Sequence, residues 1–339
     1  MASPIIGITM GDPVGIGPEL ICQALTDSEI YECCRPLVIG DTGVLSAAKD
    51  ILKSSSDIVA VESPDAGVYE PGCINVLNVS SLQADDITWG RPTPATGQAM
   101  IDYITTGIDQ ALSGEISALA TGPINKTAMK MAKSRFHGHT ELLAHRTGTA
   151  KYAMMMAGSR LRVVLVTIHI PLRRVPRDLS LEKVFETIRI TDSSLKDRFG
   201  IGNPRIAVAG LNPHAGEGDM FGDEESGCIT PAISRAVDLG ILAEGPFPPD
   251  TLFYQAVEGP YDAVVCMYHD QGLIPFKMIH FSDGVNTTLG LPIIRTSVDH
   301  GTAYDIAGEG TADPGSMKAA IRMAAEQAIH RQAAKPASG

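Results

Sequence analysis

Short β-rich apolar runs alternate along the chain with longer helical patterns, and this alternation narrows the accessible folds more than any other feature. Candidate strands occupy Ile5–Met10, Leu37–Gly40, Ile74–Val79, Ala118–Gly122, Leu161–Ile170, Ile206–Leu211 and Ala263–Tyr268. Amphipathic or alanine-rich stretches such as Gly97–Leu112, Leu181–Phe199 and Ile229–Leu239 lie between them. Gly315–Gln332 reads as a last helix, followed by a frayed tail, AAKPASG. Strands joined through helices of this length pair in parallel as βαβ units. An α/β architecture follows, and 339 residues leave room for about two domains of roughly 150 residues each.

Composition excludes several classes of function. An apolar share of 44% with mean hydropathy +0.07 belongs to a globular chain. No stretch approaches the roughly 20 continuous apolar residues that span a bilayer, so no membrane partner is expected. The start, MASPIIGITMGDPVGIGPE, lacks a basic leader region and reads as no signal peptide. A net charge of −12 and a pI near 5.2 oppose binding to nucleic acid or to anionic membranes. The six cysteines (Cys22, Cys33, Cys34, Cys73, Cys228, Cys266) form no C-x-x-C pair and read as core residues of a cytoplasmic, reduced protein.

Three candidate strands end alike. LRVVLVTIH delivers His169, RIAVAGLNPH delivers His214 and AVVCMYH delivers His269. Ligands of open α/β sheets collect outside the carboxyl ends of strands, so the three imidazoles are candidates for one divalent metal with an open coordination position. The other reading, that each histidine caps its own strand through hydrogen bonds, stays open. In HGHTELLAH, His139 and Thr140 fall at a helix start, where backbone N–H groups attract anions or simply receive a cap. Beyond His269, Lys277 follows LIPF, Asn286 sits in GVNTTLG and Arg295 sits in the apolar run Leu289–Thr296. An arginine buried there is costly unless it meets an anion, which points to a phosphate or carboxylate ligand.

The glycine clusters fail as nucleotide signatures. GDPVGIGPE follows the first strand but lacks the third glycine of G-x-G-x-x-G, and TGPINKT lacks the G-K-[ST] ending of a P-loop. The acidic run Asp219–Glu225 has no EF-hand spacing and reads as a solvated loop.

Taken together, GDPVGIGPE, TGPINK, GHTELLA, GLNPHAGE, MYHDQG and GVNTTLGLPIIRTSVDHGTAYDIAG resemble the 4-hydroxythreonine-4-phosphate dehydrogenases of pyridoxal phosphate biosynthesis, from about Ile5 to Ala325. Relatives acting on 4-phospho-D-threonate, 4-phospho-D-erythronate or a terephthalate dihydrodiol share the pattern. The resemblance implies a fold similar to isocitrate and isopropylmalate dehydrogenases, with two α/β domains, an interdomain active-site cleft and a homodimer. It divides the chain into 1–125 plus 294–339 and 126–293. It places metal ligands on His169, His214 and His269, drawn from both subunits, and substrate contacts on His139, Thr140, Lys277, Asn286 and Arg295. DHGTAYDIAGEGTADP is similar to the adenosine-binding loop of isopropylmalate dehydrogenases, with matches at His300, Gly301, Thr302, Ala303 and Asp305; Asp313 stands where that loop often has Asn.

The resemblance therefore implies oxidation of a phosphorylated hydroxy acid with NAD, or alternatively NADP, and one divalent ion (Zn, Mg, Co or Mn) per site. The β-keto acid formed would then lose CO2. Asp250 in PFPPDTLF is a candidate proton acceptor or partner of a ligand histidine, and equally a helix N-cap. Two rival readings are a catabolic dehydrogenase of 4-phospho-D-threonate or 4-phospho-D-erythronate, and a non-catalytic anion-binding protein on the same scaffold.

Overall fold

The computed structural model describes residues 3–83 and 86–334. Its strands are β1 (Ile5–Thr9), β2 (Arg35–Gly40), β3 (Asp57–Val61), β4 (Cys73–Asn78), β5 (Ala118–Thr121), β6 (Ala153–Ala157), β7 (Arg162–Leu165), β8 (Arg205–Ala209), β9 (Leu242–Phe247), β10 (Ala263–Cys266), β11 (Val285–Leu289) and β12 (Arg295–Val298). Two compact units form. Among the described residues, one comprises the chain up to Ala150 together with Leu291–Ile329, and the other comprises Lys151–Gly290 with His330–Ala334. The family resemblance drew the first boundary at 125. Helices Lys126–Met131 and His139–Arg146 instead pack on helix Pro94–Ser113 and stay with the first unit.

In the first unit the strands run β3-β4-β2-β1-β5-β12, each neighbouring pair parallel. β2, β4 and β3 lie on one side of β1 and β5 returns on the other, so the order switches at the β1/β5 edge, where ligands of such sheets collect. β1 and β5 are buried at every residue, as strands covered by helices on both faces must be. Helix Pro94–Ser113 shows why its sequence is helical. Thr93 caps it in a reciprocal pair with Thr96, Pro94 opens its first turn, and Gly114 ends it in the left-handed region. Its Met100, Tyr103, Ile104 and Ile108 join Ile6, Ile8, Leu37, Ile39 and Leu119 in the core of this unit.

In the second unit the order is β11-β6-β7-β10-β8-β9. β7, β10, β8 and β9 are parallel, whereas β6 runs antiparallel to both β11 and β7. The uniformly parallel reading of the sequence thus fails at β6, because residues 158–161 bring the chain straight back into β7 without a crossover helix. β3, β6, β9, β11 and β12 were absent from the sequence reading. β3 is a largely exposed edge strand, and β9 carries Gly245-Pro246, so neither shows a buried apolar run. The last helix spans Gly315–Ala334, and the remainder of the tail lies outside the described residues. No described helix is long and apolar enough to cross a membrane.

Candidate active site

In the first unit the site begins with Thr121, the final residue of β5. Its hydroxyl donates to the Thr296 carbonyl at 3.2 Å, which leaves the oxygen's lone pairs available to accept. Arg295 opens β12 in register with Leu119, so its side chain shares a face with Thr121, two residues on. Nε and Nη2 of Arg295 donate to Thr121 Oγ1 at 3.1 and 2.8 Å. Arg295 is 3% exposed, and burial pulls its pKa down to about 9. A buried cation of this kind is an electrostatic cost that a bound anion relieves.

His139 and Thr140 form the first turn of helix His139–Arg146, as the sequence indicates, with Gly138 in the capping position and the Glu141 carboxylate accepting from His137 N at 2.8 Å. His139 is buried, and its Nε2 has no hydrogen-bond partner among the described residues. Burial, and then the positive charge of Arg295, hold its pKa well below the usual 6.5. A neutral imidazole with an unsatisfied nitrogen beside a buried guanidinium is a polar recognition surface for an anion. Thr121, invisible to motif reading, accepts two hydrogen bonds from Arg295 and helps to aim it.

The segment His300–Asp305 also lies in the first unit. Thr302 is buried and its carbonyl accepts from Ile16 N at 3.1 Å, while Ala303 adopts φ 41°. His300, Gly301 and Asp305 are exposed. Asp313 is explained without any ligand: its Oδ1 accepts from Gly315 N at 2.8 Å at the start of the last helix.

In the second unit β7, β10 and β8 lie side by side and parallel, and the histidines follow their carboxyl ends in that order. His169 lies in the loop beyond β7, and His269 opens helix His269–Ile279 after β10. Their rings stand 5.4 Å apart at the centroids, inside a pocket of about 420 Å³ with Thr167, Tyr268 and Asp270. Nδ1 of His269 meets Asp270 Oδ1 at 2.7 Å, a contact that fixes the ring and leaves Nε2 as its other nitrogen.

His214 occupies a neighbouring pocket of about 390 Å³ with Asn212, Asp250, Gln271 and again Tyr268. Its backbone is left-handed, as are Ala215 and Glu217, a strained run of non-glycine residues that the surroundings must hold. Glu225 does so, accepting from Leu211 N at 2.7 Å, Asn212 N at 2.8 Å and Asn212 Nδ2 at 2.9 Å. Glu225 is buried, which corrects its sequence reading as part of a solvated loop. Gln271 ties the two strand ends together, accepting from Met267 N at 2.6 Å and donating to the Gly210 carbonyl at 2.7 Å.

Among the described residues, no group of three or more His, Cys, Asp and Glu is arranged to hold a metal ion. Two of the three histidines are brought together and the third sits one pocket away. Their chemistry nevertheless fits a borderline divalent ion: imidazole side chains, one of them braced by a carboxylate. Asp250 is not the N-cap of helix Pro249–Glu258; Pro248 occupies that position, and the Asp250 carboxylate lies in the first turn. Asn286 is half-buried on β11 opposite Met156, and Lys277 places Nζ 5.9 Å from the Phe281 ring.

The sequence matches the family described as Pyridoxal phosphate biosynthetic protein PdxA over residues 32–324. The 4-hydroxythreonine-4-phosphate dehydrogenase of Desulforapulum autotrophicum is 63% identical over 325 residues, covering 96% of each chain. The D-threonate 4-phosphate dehydrogenase of Cupriavidus necator is 44% identical, covering 97% of this chain and 98% of its own. A solved 4-hydroxythreonine-4-phosphate dehydrogenase from Klebsiella pneumoniae superposes with a TM-score of 0.89 at 41% identity, covering 96% of this chain and 98% of that one.

Proposed function

The chain belongs to the PdxA family of pyridoxal phosphate biosynthetic proteins and is a dehydrogenase of a secondary alcohol; on that premise we propose that it oxidises 4-hydroxythreonine 4-phosphate. The product is a β-keto acid that loses CO2 to give 3-amino-2-oxopropyl phosphate. The observation that carries the anionic substrate is Arg295, buried with its fork braced on Thr121 and beside the unsatisfied Nε2 of His139.

Arg295, His139 and Thr140 bind the substrate's anionic groups, with Lys277 and Asn286 as further contacts. Because His139 is neutral at physiological pH, it contributes a hydrogen bond and leaves the charge to Arg295. His169, His214 and His269 are the ligands we assign to a divalent ion, contributed by both subunits of a homodimer, and His300–Asp305 is the loop we assign to the adenosine of NAD. When bound, the ion would supply Lewis acidity and the nicotinamide cofactor a hydride acceptor. Glu225 and Gln271 hold the histidine-bearing loops in place. Asp250, in the pocket of His214, is the carboxylate we assign to accept the alcohol proton. A cytoplasmic location is supported by the free thiols of all six cysteines.

Formation of NADH from 4-hydroxythreonine 4-phosphate tests this reading. Turnover should vanish with a chelator, return with a divalent ion and fail with the dephosphorylated substrate. Undiminished turnover without the phosphate would overturn it. A second reading, oxidation of 4-phospho-D-threonate, is favoured by the relative from Cupriavidus necator, and the same assay with that acid separates the two.

A further inference from the structure

The block GDPVGIGPE fails as a phosphate cradle, yet it carries two carboxylates, Asp12 and Glu19, both 0% exposed. Buried carboxylates need hydrogen-bond donors. Glu19, in the first turn of helix Gly17–Ala24, receives them from the loop beyond β12. Gly308 N donates to Oε1 and Gly310 N to Oε2, each at 2.6 Å. Asp12 accepts from the Tyr304 hydroxyl at 2.5 Å and from Val14 N at 3.1 Å. Ile16 N donates to the Thr302 carbonyl and Gln23 Nε2 to the Gly310 carbonyl.

The underside of the loop is shaped to match. Gly308 has φ 88°, and a Cβ there would lie 2.7 Å from the Trp89 ring, so the backbone rests directly on the only tryptophan in the chain. The loop from Thr302 to Gly310 is thus bonded at four positions by one short N-terminal segment. Exposed His300, Gly301 and Asp305 are left on the outside.

We propose that Glu19 is a positioning residue, with Asp12 its second anchor: the GDPVGIGPE block is a seat that sets the 302–310 loop in its cofactor-binding shape before the cofactor arrives. The inference rests on the assignment of His300–Asp305 to adenosine. Pre-ordering of this kind raises affinity by removing the ordering cost at binding. It should therefore appear in the KM for NAD+ rather than in the rate of the chemical step.

The test uses the full chain with Glu19→Gln, which preserves shape but leaves one of the two loop N–H groups facing an amide nitrogen. Amide exchange of the peptide 302–312, emission of Trp89, and KM for NAD+ and for the phosphorylated substrate are measured. We expect exchange and KM for NAD+ to rise about tenfold, with kcat and the substrate KM within about twofold of wild type. Glu19→Asp, which keeps the charge, should recover part of the loss. If Glu19→Gln does not fold, Gln23→Ala removes the amide that bonds the Gly310 carbonyl and should give the same pattern at about threefold. Unchanged exchange overturns the seat. Faster exchange with unchanged affinity for NAD+ leaves the seat standing but removes the cofactor reading, and with it this inference.

Discussion

Replacing Arg295 by methionine separates a binding residue from a structural one. The fall of the guanidinium from 12.5 to about 9 corresponds to about 5 kcal/mol of unfavourable burial at about 1.4 kcal/mol per pH unit. A phosphate that meets the buried fork can recover part of that sum. Truncating one partner of a buried charge pair costs about 2–5 kcal/mol, so kcat/KM for the phosphorylated acid should fall about 30- to 5,000-fold. The free protein should respond differently. Methionine fills similar volume without a charge to desolvate, and such swaps are often neutral or stabilising, so the stability read from urea unfolding should fall by no more than about 1 kcal/mol. Thr121→Val is the companion variant. It leaves Nε and Nη2 of Arg295 without the hydroxyl they share and should destabilise by about 1–3 kcal/mol, while raising the substrate KM. Steady-state kinetics with NAD+ held constant, alongside urea unfolding, reads both. A methionine variant that unfolds by more than about 3 kcal/mol easier, yet keeps its substrate KM, would show Arg295 to be a structural strut.

The remaining expectations concern His139 and the histidine loops. The folded pKa of His139 lies below its unfolded value of 6.5, so the unfolded chain binds the extra proton. Its stabilising contribution is complete above about pH 6.5 and is lost as pH falls, by up to about 1.4 kcal/mol per pH unit; His139→Gln should flatten that slope in urea midpoints between pH 7.5 and 5, and an identical slope would be contrary. His214→Ala should abolish turnover while leaving the melting temperature in the absence of added metal within a few degrees, because the His214 side chain is exposed and its loss opens no cavity; retained turnover would contradict a ligand role. Glu225→Gln keeps one acceptor oxygen for the His214 loop, so amide exchange at Leu211 and Asn212 should quicken and kcat should fall about tenfold. Normal kcat alongside faster exchange would show the loop's shape to be irrelevant to turnover.

The strand ends were legible because a short apolar run closing on a histidine is a local pattern. β7, β10 and β8 prove adjacent, and His169 and His269 meet. Arg295 was legible because a cation inside an apolar run conflicts with its neighbours. Thr121, Glu225 and Glu19 were not. Their roles come from partners far along the chain, Thr121 with Arg295 and Glu19 with Gly308 and Gly310, and no periodicity carries such pairings. Glu225 was hidden by its acidic neighbours, which made a pinning carboxylate resemble a solvated run. β6 and β11 escaped notice because MMM and NTT lack β-branched apolar alternation, although the register Asn286–Met156 is regular.

The most direct measurement follows the carbon skeleton as well as the cofactor. Incubating the metal-supplied protein with NAD+ and 4-hydroxythreonine 4-phosphate should yield NADH, CO2 and 3-amino-2-oxopropyl phosphate in equal amounts, with a higher kcat/KM than for 4-phospho-D-threonate. A preference for the threonate, or binding of either acid without reduction of NAD+, would contradict the assigned reaction.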